Sequence, residues 1–70
     1  MEFKVDDIIV SCKNGFIAIG KVEEVLSEDE NTKYYVRLIW INKKQNKIGV
    51  LFKASLDSAM LYEEFINANA

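Results

Sequence analysis

The chain has 70 residues, half of them apolar and 29% charged, with a net charge of -2. That composition suits one small globular domain and excludes a disordered segment or a chain with several cores. One cysteine and no histidine exclude an intrachain disulfide, a thiolate or imidazole metal centre and a histidine-based triad.

The first residues, Met1-Glu2-Phe3-Lys4-Val5-Asp6-Asp7, lack the basic start and long apolar run of an export signal. No stretch approaches the length of a membrane span. The expectation is a soluble cytoplasmic protein with no membrane partner. Eight lysines against one arginine, with eight isoleucines and six asparagines, point to an AT-rich coding sequence. Together with a natural methionine start, this suggests a complete short gene product of a phage or mobile element, acting in the host cytoplasm.

Residues 8–13, IIVSCK, alternate, with Ile8, Val10 and Cys12 on one face and Ile9, Ser11 and Lys13 on the other. That pattern predicts a short strand. Asn14-Gly15 predicts a tight turn, since both residues tolerate positive φ. FIAIGKVEEVL, residues 16–26, reads as a second strand in which Gly20 predicts a bulge or bend. The acidic SEDENT, residues 27–32, reads as a hairpin tip.

A third strand is expected over residues 34–41, with Tyr34, Val36, Leu38 and Trp40 on one face and Tyr35, Arg37, Ile39 and Ile41 on the other. The loop NKKQNK, residues 42–47, then leads to a fourth strand, IGVLFKA, with Ile48, Val50 and Phe52 on one face. After Ser55 the period changes. A helix over about 56–67, capped by Ser55 or Asp57, carries Leu61, Tyr62, Phe65 and Ile66 as an apolar stripe. The whole predicts one mostly β domain over residues 1–70: a small, strongly bent antiparallel barrel of four to five strands, about 3–54, followed by a C-terminal α-helix. An apolar strand and an aromatic helix exceed what so short a chain buries by itself, so a homo-oligomer is expected.

Several stretches resemble the Tudor and chromo-barrel group of SH3-like barrels. They are Phe3-Lys4-Val5-Asp6-Asp7-Ile8-Ile9-Val10, Gly20-Lys21-Val22-Glu23-Glu24-Val25, Lys33-Tyr34-Tyr35-Val36-Arg37 and Asn42-Lys43-Lys44. The resemblance covers roughly residues 3–55 and implies an SH3-like barrel. The chain departs from the group where function resides. Asn46-Lys47-Ile48 stands where the family has Asp-Glu-Trp, and Leu38 where an aromatic would follow Arg37. A methyl-lysine cage needs several rings around one cation. Those rings are missing and lysines surround the place, so a cationic ligand is disfavoured.

Charge segregation supplies the functional expectation. Residues 31–53 hold six cations, Lys33, Arg37, Lys43, Lys44, Lys47 and Lys53, and no acid; all eleven carboxylates lie elsewhere. Lysines in a loop are ordinarily just a solvated surface. One-sided segregation on a net-acidic chain points further, to an anionic partner. Candidate contacts are Arg37, Lys43, Lys44, Lys47 and Lys53 for phosphate, with Tyr35 and Trp40 for stacking. Adjacent acids such as Asp6-Asp7 and Glu63-Glu64 diverge rather than converge on one bond, and Ser11 and Cys12 have no histidine base. Gly15 and Gly20 are isolated and form no phosphate loop.

We therefore expect a non-catalytic binder with no cofactor, capturing a nucleotide signal or a nucleic acid as a homo-oligomer. A phage-encoded sponge for an immune nucleotide is its most specific form. The competing expectation is an interaction module that binds a host protein through the barrel and helix. Net acidity counts against binding of bulk duplex DNA.

Overall fold

Asn14 and Gly15 form the first tight turn, with φ of 53° and 81°. In the computed structural model, which describes residues 2–28, 31–43 and 47–68, this turn joins β1 (Ile8–Lys13) to β2 (Phe16–Glu28). β2 doubles back into β3 (Asn31–Ile41), which pairs with β4 (Leu51–Ala54); β5 (Ala59–Leu61) returns to the far side of β1. All pairings are antiparallel, in the order β4-β3-β2-β1-β5, and α1 (Tyr62–Ala68) closes the described chain. The fold is thus mostly β with a C-terminal helix, as the sequence predicts. Its sheet is compatible with a small barrel but stays open, with β4 and β5 as its two edges.

Gly20 shows why the sheet bends. A Cβ at this position would run into Val36 Cγ1 and stand 3.2 Å from the Arg37 carbonyl oxygen. Only a bare backbone lets β2 cross β3 so closely. The β2–β3 register slips on either side of this contact, between Ile19 and Gly20 and between Val22 and Glu24. Such bulges increase local twist and coil the sheet around one face.

That inner face carries the core. Phe3, Ile9, Val22, Tyr34 and Val36 are buried together, with Leu56, Ala59 and Leu61 packed against them. The segment before β1 seals one end. Asp6 N donates to Val22 O at 2.8 Å and Val22 N to Asp7 O at 2.9 Å. Phe3 N donates to the Tyr34 hydroxyl at 3.3 Å, and the two rings meet edge to face with centroids 5.9 Å apart.

Three boundaries differ from expectation. The acidic stretch 27–32 is largely strand, since Ser27 pairs with Thr32 and Glu28 with Asn31; residues 29–30 lie outside the described residues. The ladder that carries Val25 opposite Tyr34 simply continues outward on a ribbon that tolerates polar side chains. The fourth strand begins at Leu51 rather than Ile48, because Gly49 turns at φ 86° and Val50 N donates to Lys47 O. Residues 59–61 form β5 instead of the start of the helix. They pair with Ser11, Val10 and Ile9, so the need of β1 for a second partner overrides a short helical period.

Candidate functional site

Residues opposite one another in neighbouring strands share a face. Ile9, Gly20 and Leu38 form one inward row, Ser11, Ala18 and Ile41 the next, and Val36 faces Phe52. Past the sealed core these rows give onto open space. With Ala54, Ser55 and Leu56 they line an open cleft of about 400 Å³ whose wall is mostly apolar. Its polar constituents are Ser11, Ser55, Lys47 and the β4 residue Lys53.

The bulge beside Gly20 makes this geometry. Gly20 pairs with Leu38 but Ile19 with Trp40, so Ile39 is the extra residue of β3. The phase of the strand therefore changes by one. Ile41 swings to the cleft, and Trp40 leaves the face of Tyr34, Val36 and Leu38 on which simple alternation places it. Trp40 ends a row Met60, Val10, Ile19, Trp40 on the outer face and is 48% exposed. The principal contacts of α1 are with β1 and β5 rather than with β3.

The seven residues singled out for ligand contact are dispersed. Lys47 and Lys53 both border the cleft. Tyr35, opposite Lys53 in the β3–β4 register, shares the outer face of β3 with Arg37. Arg37 is engaged there: Nε donates to Glu23 Oε1 at 3.2 Å and Nη1 to the Gly49 carbonyl oxygen at 2.7 Å. Lys21 extends this network, 3.3 Å from Asp6 and 4.0 Å from Glu23. Lys43 sits over the Phe16 ring at 5.3 Å, beside the β1–β2 turn that Asn42 holds through Ile17 N and Gly15 O. Lys44 lies outside the described residues.

Sequence reasoning missed the cleft lining itself. A signal was present: Ala18 and Gly20 are small residues two apart on β2, with Ser11 across from Ala18. Small side chains at period two leave room above one face of a sheet. Among the described residues no group of histidine, cysteine or carboxylates is arranged to hold a metal ion. No helix of the described residues is long and apolar enough to cross a membrane. No protein-family model, curated protein or solved structure matches the chain.

Proposed function

We propose that the protein is a non-catalytic binder, a small barrel of the SH3-like kind, that works as a homo-oligomer. It captures a small anionic ligand with a planar apolar body, a nucleotide being the simplest case. The observation that carries this reading is the 400 Å³ apolar cleft with Lys47 at its border. Its volume lies within the range of small-ligand sites, which pair carbon walls with a few placed polar groups. A base fits the walls formed by Leu38, Ile41 and Phe52; Lys47 supplies charge for a phosphate, and Ser11 or Ser55 a hydroxyl.

The dispersion of the cations supports the smaller ligand. A nucleic acid strand needs a groove of positive charge along several phosphates. Here Arg37 is tied to Glu23 on one face, Lys43 stands over Phe16, and Lys47 and Lys53 border the cleft. That arrangement favours one or two phosphates over a polymer. In this reading a nucleotide is sequestered and released unchanged, the behaviour of a phage sponge for a nucleotide signal. Docking of a host protein is the second reading, favoured by the exposed Ile39 and Trp40 on the outer face.

Calorimetric titration with AMP, 3′,5′-cyclic AMP, a cyclic dinucleotide and adenosine tests the proposal. At least one nucleotide should saturate the protein more tightly than adenosine. Lys47→Gln should erase that preference, while Trp40→Ala, on the opposite face, should keep it. Ligand recovered from denatured protein should be intact. Absence of saturable binding by all four compounds, or catalytic amounts of a cleavage product, would overturn it.

A further inference from the structure

The two edges of the sheet carry opposite charge and similar apolar content. At one edge, β4 and the turn before it expose Ile48, Val50, Leu51 and Phe52 beside Lys47 and Lys53, and residues 31–53 contain no acid. At the other edge, β5 and the helix that follows it expose Met60, Tyr62 and Ile66. The acids of this region are Asp57, just before β5, and Glu63 and Glu64 in the first turn of α1, and no lysine or arginine follows residue 53. Each edge strand offers backbone donors and acceptors to a further strand, which natural proteins normally guard against. Neither edge has proline, and the charges on each are of one sign.

Building on the homo-oligomer of the function proposed above, we infer that copies of this chain join head to tail, the basic β4 edge of one against the acidic β5 and α1 edge of the next. The occupant of each edge is a second copy because the chain carries the complement of each edge on its own opposite side. Joining like edges is disfavoured. A β4-to-β4 contact would bring Lys47 and Lys53 of both copies together, and a β5-to-β5 contact would do the same with Asp57, Glu63 and Glu64. Like charges across a sheet contact are destabilising, and opposite charges set register and partner choice. Head-to-tail contacts close at two copies, when each chain gives both edges to the other, or at a higher number in a ring.

Sedimentation velocity of the full chain and two double variants tests this. K47E/K53E and E63K/E64K should each sediment as the 8.0 kDa monomer where the wild type is assembled, with unchanged circular dichroism. An equimolar mixture of the two variants should reassemble, because every junction in it again joins opposite charges. Raising salt should weaken wild-type assembly by on the order of tenfold or more as these exposed pairs are screened. If only one variant dissociates, copies join through that edge alone and the inference is wrong. It also fails if both variants stay assembled, or if both dissociate and mixing restores nothing. A wild type that is itself monomeric would instead remove the homo-oligomer from the proposed function, leaving its ligand to be judged by calorimetry.

Discussion

The inner face of the sheet has two halves built from similar residues and put to different ends. In the half toward Phe3, the chain before β1 folds back and covers the sheet, so Ile9, Val22 and Tyr34 lose nearly all contact with water. In the half toward Ile41, none of the described segments folds back in this way, and Ser11, Ala18, Leu38, Ile41 and Phe52 surround an open cleft. Strand composition does not separate the halves, since both are apolar. The separation comes from which half receives a lid, and from the small residues Ala18 and Gly20 beneath the half that does not. One half stabilises the fold, and the other is where the proposed ligand would sit.

The largest expected effect breaks the lid. Phe3 is 3% exposed, packs on the Tyr34 ring and carries the backbone N–H that the Tyr34 hydroxyl accepts. Phe3→Ala should cost about 3–5 kcal/mol, the usual loss for deleting a buried ring. For a domain this small that is a large part of the total stability. Urea unfolding should show the midpoint falling sharply. A loss below about 1 kcal/mol would mean that the segment before β1 is not a lid and that the two halves are alike.

The closed half was the more legible of the two in the sequence. Alternation in IIVSCK, the Asn14-Gly15 turn and the β-rich YYVRLIWI place β1, β2 and β3 with nearly the right bounds, because local pattern and burial agree there. Gly20 announces its bulge, since nothing else explains a glycine inside an apolar strand. What the bulge does to Trp40 and Ile41 is not legible, for a one-residue change of phase leaves no mark on alternation. The cleft depends on that change, so its lining was hidden with it. β5 was hidden for another reason: three residues that suit a helix become strand only because β1 lies beside them. Charge segregation was visible, but not that Arg37 spends its donors on Glu23 and Gly49.

A middle-sized effect comes from giving the open half a filling of its own. Ala18 lines the cleft between Ser11 and Ile41. Ala18→Leu should occupy part of the 400 Å³ with side chain. Because the added carbon enters open space rather than a packed core, stability should hold or rise by about 0.5–2 kcal/mol. Ligand binding should disappear at the same time. Thermal unfolding and calorimetry on one sample measure both. Nucleotide binding that survives Ala18→Leu undiminished would move the ligand off the inner face.

The smallest effect concerns Arg37, whose guanidinium is the group best suited to a phosphate by chemistry alone. Its position argues otherwise. The side chain lies on the outer face, with Nε on Glu23 and Nη1 on the Gly49 carbonyl that precedes β4. Glu23 is shared with Lys21, so the network ties β2, β3 and the turn after Lys47 to one another. Exposed pairs of this kind contribute little, so Arg37→Gln should lower stability by about 0.2–1 kcal/mol. Glutamine keeps a donor for Gly49 O but cannot replace the charge on Glu23. Nucleotide affinity should fall only slightly, and less than in Lys47→Gln, since the turn that Arg37 holds also positions Lys47. If Arg37→Gln instead abolishes binding at unchanged stability while Lys47→Gln has no effect, the ligand meets the outer face, and the open half of the inner face is an unfilled gap in the sheet.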